Sequence, residues 1–156
     1  MGRQQITEAR SNYLKADYER GFIRFCGFRA VQAVWGKFRS AIKSEEEPRQ
    51  QDGFIHAGVM ATMADHTAGY SAFTIVPEHM QILTIEFKIN FLRPAFGEAL
   101  HCYSKVIREG RQVIVSESEV FDVRGEQEVP VAKAMVTLMA VPKEKLAAAE
   151  DNNCES

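Results

Sequence analysis

The stretch Gly53 to Val76, GFIHAGVMATMADHTAGYSAFTIV, decides how the rest of the chain is read. Its apolar residues fall on nearly every side, the pattern of a helix buried all round rather than one lying on a surface. The predicted helix covers about residues 58–75, because Pro77 restrains the residue before it and lacks a donor. Asp65 stands in its middle, and a carboxylate inside a buried helix is costly unless something pairs with it. Steps of about 100° per residue put Gly58, Thr62, Asp65 and Gly69 on one narrow stripe. Three small residues around one acid leave room for a close approach, by another backbone or by a ligand. The competing account is close packing on a sheet, with Asp65 satisfied by a backbone N–H.

After this helix the period changes. Leu83, Ile85, Phe87, Ile89 and Phe91 alternate with Thr84, Glu86, Lys88 and Asn90, which predicts a strand with one buried face. Pro94 and Gly97 end it. Ala99 to Glu109 and Gln112 to Asp122 are β-rich runs about a hairpin tip at Gly110-Arg111. Val131 to Val141 is apolar on both faces and is predicted to be a central strand. Before the helix, Ile6 to Gly21 has amphipathic helical spacing and is expected to pack as a lid or edge. The aromatic-rich stretch Phe22 to Phe28 does not choose between helix and strand. Ala30 to Val34 and Lys37 to Ile42 flank Trp35-Gly36 like a hairpin, and Ser44 to Asp52 reads as a charged loop. The order is α+β, a single antiparallel sheet wrapped around one helix. Its division is an N-terminal helix and connection at 1–29, one main domain at 30–142 and a polar tail at 143–156. The doubly apolar last strand implies that something covers the sheet's second face, and self-association is the economical answer.

At 156 residues and 46% hydrophobic, the chain suits one domain with a proper core. Its 19 basic and 21 acidic residues are mixed along it, so no large basic field recruits nucleic acid. Cys26, Cys102 and Cys154 lack metal-type spacing and fit a reducing, cytoplasmic setting. No signal-type apolar region and no run of roughly 18 apolar residues is present, so neither export, a membrane span nor a membrane partner is expected.

At His56-Ala57-Gly58 followed by Asp65, and then the strand closing on Phe91-Leu92-Arg93-Pro94-Ala95, the chain resembles hot-dog fold thioesterases. More narrowly it resembles acyl-CoA thioesterases of the phenylacetic-acid-degradation (PaaI-like) type, whose pattern is His-Gly-Gly, a helical run and Asp in this register. The likeness covers roughly Ala30 to Val141. It implies hydrolysis of an acyl-CoA thioester at a dimer interface, with no cofactor beyond the coenzyme A of the substrate, no metal, and assembly as a homodimer or dimer of dimers. Asp65 is then nucleophile or general base. Thr84 occupies the place of a hydroxyl that orients water or the carboxylate, its alternative being an ordinary outward strand threonine. Gln50 matches a side-chain amide that supports the carbonyl, with Gln51 a near rival.

Gly58 and Asp65 lie seven residues apart, about 10 Å along one helix, so they cannot both touch one carbonyl. A helix N-terminus and the acid meet at one reacting centre only if they come from different subunits across a twofold axis. The N–H groups of Ala57 and Gly58 at the positive end of the dipole then stabilise the oxyanion. One departure is plain: the family's second motif residue, a glycine, is Ala57 here, whose Cβ resists positive φ and crowds the site. His56 is expected to hold the turn by hydrogen bonds rather than do acid–base work, and His66 points about 100° away from Asp65. The candidates for substrate contact are His56, Thr62 and Gly69, with Arg93 and Arg111 for the CoA phosphates. The methionines Met60, Met63 and Met80 read as core filling rather than as an acyl tunnel.

Two other readings stand beside this one. A hot-dog dehydratase or hydratase would show a His-Phe-Pro or hydratase-type segment, which is not found. A non-catalytic acyl-CoA sensor would need an output domain, and the residues before Ala30 are too few for a DNA-binding module.

Overall fold

The computed structural model describes residues 5–43 and 52–147. Helix α1 (Glu8–Tyr18) starts where the Thr7 hydroxyl accepts the Arg10 N–H at 3.1 Å, an N-cap. The stretch that sequence left open is a second, short helix, α2 (Gly21–Cys26). Gly27 closes it in the left-handed conformation, φ 77°, with its N–H on the Arg24 carbonyl and the Phe28 N–H on that of Ile23. Strands β1 (Arg29–Val34) and β2 (Lys37–Lys43) form the expected hairpin, whose turn needs Gly36 at φ +68°. Then come α3 (Ala57–Phe73), β3 (Met80–Phe91), β4 (Ala99–Glu109), β5 (Val113–Arg124) and β6 (Gln127–Pro142). The six strands form one antiparallel sheet in the order β1-β2-β4-β5-β6-β3.

The sheet wraps α3, which packs against β2 through β6. Met60, Met63, Ala64, Ala68 and Ala72 from the helix meet Phe38, Leu100, Ile114, Val120, Val136 and Leu138 from the strands in one core. Leu14 and Tyr18 are fully buried, so α1 closes that core over the β1 edge. The helix–sheet seam also holds a ladder of hydroxyls. Thr67 donates to the Met63 carbonyl at 2.6 Å, so the Tyr18 and Ser40 hydroxyls, at 3.1 and 2.8 Å, donate to Thr67. Ser118 donates to the Ala64 carbonyl at 2.7 Å and takes the Ser104 hydroxyl in turn. Each hydroxyl of this ladder thereby has a partner, which lets small side chains bring helix and sheet close.

Four expectations need correction. Helix α3 ends at Phe73 rather than near 75, because the Thr74 hydroxyl turns back onto the Ser71 carbonyl and accepts the Gly36 N–H at 2.7 Å. The alternation in β3 breaks: Thr84 pairs with Leu138 and Glu86 with Thr137, so Ile85 is the extra residue of a bulge. Leu83 therefore lies with Glu86 and Lys88 on the outer face, while Thr84, Phe87 and Ile89 face the helix. Strand β6 is buried on one face only, where Ala132, Ala134, Val136, Leu138 and Ala140 meet the core, while Met135 opposite is exposed. Finally, β3 is an edge strand whose Leu83, Ile85, Phe87 and Phe91 are 39–50% exposed, so its apolar residues are not covered by the described residues of one chain. A single chain supplies only one covering layer, and it reaches only one face.

Candidate active site

The bulge in β3 decides what surrounds Asp65. A regular strand would keep Thr84 on the outer face with Glu86, whose Oε1 accepts the Thr137 hydroxyl at 3.0 Å. The inserted Ile85 turns Thr84 toward α3 instead, where its hydroxyl donates to Asp65 Oδ1 at 2.8 Å. Bulges commonly re-aim a side chain in this way beside functional sites. Asp65 is half-buried rather than enclosed, and Gly58, Thr62 and Gly69 of its stripe are exposed or half-exposed. A Cβ built on Gly69 would meet nothing within 4 Å among the described residues, so that end of the stripe is open beside the exposed apolar residues of β3. The small residues leave room for an incoming group, not for the chain's own sheet.

At the start of α3, His56 is the N-cap, and its Nδ1 accepts the Gly58 N–H at 2.9 Å. The neutral ring therefore carries its proton on Nε2, and the imidazole folds so tightly over Gly58 that an added Cβ would lie 2.9 Å from Nδ1. His56 thus holds the turn into α3. The Gly58 N–H is occupied, while that of Ala57 is exposed and has no acceptor among the described residues. Ala57 is unstrained, since every positive φ among the described residues belongs to a glycine. The substitution of alanine for glycine thus leaves the remaining donor in place.

The predicted phosphate ligands do not converge within one chain. Arg93 donates to the Pro130 carbonyl at 2.9 Å next to Val131, whereas Arg111 is exposed on the β4–β5 turn, where the Gln112 carbonyl accepts the Ala140 N–H. Val131 and Ala140 are separated along β6 by about 30 Å. Gln50 and Gln51 lie outside the described residues.

His66 is tied to α1, not to Asp65: its Nε2 lies 3.2 Å from the Tyr18 carbonyl, and its ring packs on Tyr18 and Tyr70. Burial lowers its pKa, and burial likewise raises the hydroxyls of Tyr18 and Tyr70 and pushes the Cys102 thiol up to about 11. Met60 and Met63 are core residues and Met80 is half-buried against them. His101, read as a surface residue, is instead half-buried against Glu128, which the Tyr103 hydroxyl also reaches at 2.8 Å. No group of three metal-ligating side chains occurs among the described residues.

One element of the site's frame escaped the sequence reading. Asp122 is fully buried and accepts the N–H groups of Phe96 and Gly97, each at about 3 Å, and Arg124 Nε at 2.8 Å. Arg124 also lies over the Phe96 ring at 3.9 Å and donates to the Pro94 carbonyl. The loop after β3 is thus fastened to the end of β5, and the Ile55 N–H bonds the Ala95 carbonyl just before α3 begins. A signal was present, because Asp122 lies at an inward strand position where an unpaired acid would be costly.

A six-stranded antiparallel sheet curled around one long helix defines the hot-dog architecture. The chain belongs to the thioesterase superfamily, whose family model matches residues 52–129. A protein of Saccharolobus solfataricus named "Putative esterase" is 33% identical over 113 residues, which span 72% of this chain and 78% of the relative. The crystal structure of a thioesterase family protein from Silicibacter pomeroyi superposes with a TM-score of 0.80 at 31% identity, covering 84% of this chain and 98% of that one. The E. coli PaaI protein from the phenylacetic acid degradation operon shares the fold, with a TM-score of 0.71 at 20% identity over 81% of this chain and 88% of that one. The family is one of thioester hydrolases. No helix among the described residues is long and apolar enough to cross a membrane.

Proposed function

We propose that this protein hydrolyses acyl-CoA thioesters at sites shared between two copies of the chain. The reading rests on one observation, the Thr84 hydroxyl donating to Asp65 Oδ1 at 2.8 Å on a flank of α3 that is open among the described residues. The Ala57 N–H of the same chain lies about 12 Å away along the helix, too far to serve the same carbonyl. Two chains joined along their exposed β3 edges would bring Asp65 of one toward Ala57 of the partner subunit.

In the general-base route Asp65 removes a proton from water as the water oxygen attacks the thioester carbon. The carbonyl electrons move onto oxygen, which accepts the N–H of Ala57 of the partner subunit. Collapse breaks the carbon–sulfur bond, and the departing CoA thiolate receives the proton. In the nucleophilic route Asp65 attacks the thioester carbon and the carbon–sulfur bond breaks, giving a mixed anhydride and CoA thiolate; water then opens the anhydride to free acid and the Asp65 carboxylate, and its released proton neutralises the thiolate. Thr84 serves either route by holding one carboxylate oxygen, which leaves the other to react.

The deciding experiment is a thiol-release screen over aryl, short-chain and long-chain acyl-CoAs with wild type and Asp65→Asn. Wild type is expected to turn over at least one class, and the variant to lose roughly 10²- to 10⁴-fold in kcat with its assembly intact. Equal turnover in the variant would remove Asp65 from the mechanism, and tight acyl-CoA binding without turnover in wild type would make the protein a sensor.

A further inference from the structure

Helix α2 carries two phenylalanines on its outer side that the core does not use. Phe22 and Phe25 are 64% and 88% exposed, and their rings stack 6.4 Å apart. Ile23, on the opposite side, is buried, so the short helix is anchored with these aromatics pointing outward. Exposed neighbours are cationic: Arg20 precedes the pair and Arg24 lies within it. Residues 8–29 hold five basic and three acidic residues although the whole chain is net negative. Two of those acids are already engaged, Asp17 by Arg20 and the Tyr70 hydroxyl, Glu19 by Arg29 and the Ala30 N–H. Arg24 makes no ion pair among the described residues.

We propose that α2 seats the protein on an anionic lipid surface, with Phe22 and Phe25 entering the headgroup boundary while Arg20 and Arg24 meet the headgroup phosphates. Aromatic tips flanked by arginines are the composition that lies in such an interface, the guanidiniums staying in the polar layer. The two rings expose roughly 300 Å² together, well short of the roughly 800 Å² per partner of a standard protein interface. A protruding pair of rings also needs no complementary cavity to enter lipid. Crossing the bilayer is not required, so the absence of a spanning helix is no obstacle. The strand register puts Arg29 opposite Ala41 and Lys43 opposite Ala99, and the Ile55 N–H bonds the Ala95 carbonyl, so α2 is at the sheet end where α3 begins.

The test is co-sedimentation of the full chain with vesicles of phosphatidylcholine alone and of phosphatidylcholine mixed with phosphatidylglycerol. Wild type is expected to pellet with the mixed vesicles. F22S/F25S should lose roughly tenfold or more of that binding at unchanged melting temperature and unchanged mass by light scattering, and R20Q/R24Q should lose the preference for the anionic vesicles. The proposal is overturned if wild type pellets with neither vesicle, or if F22S/F25S binds like wild type. It is equally overturned if F22S/F25S lowers the assembly mass, which would make the aromatics a contact between copies. A preference for anionic vesicles that survives in R20Q/R24Q overturns the role of the arginines.

Discussion

Single atoms carry most of the chemistry. The Thr84 hydroxyl donates to a carboxylate oxygen, and such bonds to charged groups contribute about 1.5–3 kcal/mol. Thr84→Ala is therefore expected to lower kcat by roughly tenfold to a hundredfold, with Thr84→Ser recovering most of it, as thiol-release kinetics would show. His66 makes a different prediction. Burial lowers its pKa from 6.5, so the unfolded chain takes up the proton first as the solution is acidified. Its contribution is complete above about pH 6.5 and declines as pH falls from there toward the folded pKa. Denaturant unfolding measured from pH 7.5 down to 5 should show this decline, and His66→Gln should flatten it. A variant whose pH profile matches wild type would show that some other group sets the slope.

At the scale of elements, the loop between β3 and β4 is where the frame is least tolerant. A Cβ on Gly97 would stand 2.0 Å from the Val123 carbonyl oxygen and 2.6 Å from Asp122 Oδ1. Backbone must move to admit it, so Gly97→Ala is expected to cost about 1–3 kcal/mol, read as a shift of the denaturation midpoint. The bulge in β3 works the other way, as a device rather than a weakness. It spends one residue, Ile85, to bring a hydroxyl to the aspartate, at the cost of leaving that isoleucine half in water. The alternation of Leu83 to Phe91 was legible from the sequence, but its break was not, because a bulge is a property of pairing with β6 some fifty residues away.

For the whole molecule, the decisive fact is that β3 is both an edge strand and an apolar one. Exposed edges of this kind are normally paired or blocked. On the proposed assembly, Phe87→Lys places a charge on the apolar helix-facing side of that edge. It should halve the mass seen in light scattering and abolish thioester hydrolysis together, since each site draws on both chains. Activity retained in a monomer would sink the shared-site arrangement while leaving Asp65 untouched. On the outer face of β6, Met139 lies between the exposed Leu83 and Val113, which makes a second apolar surface on the same molecule.

Apart from α2, periodicity alone determined the order of elements, the antiparallel sheet around one helix, and Asp65 on a stripe with Gly58, Thr62 and Gly69, because these follow from residues near one another in the chain. The α+β class needed nothing more, and the thioesterase resemblance rested on particular residues, His56-Ala57-Gly58, Asp65 and the run Phe91 to Ala95. Tertiary structure decided the rest. That Thr84 meets Asp65 depends on register across β6, that Gly58 is capped by His56 depends on how the chain enters α3, and that Asp122 is an anchor depends on a loop folded back onto β5. It also decided that the stripe faces outward, since which flank of a helix a sheet covers is set by strand order and curvature, and neither is written in the helix's own residues.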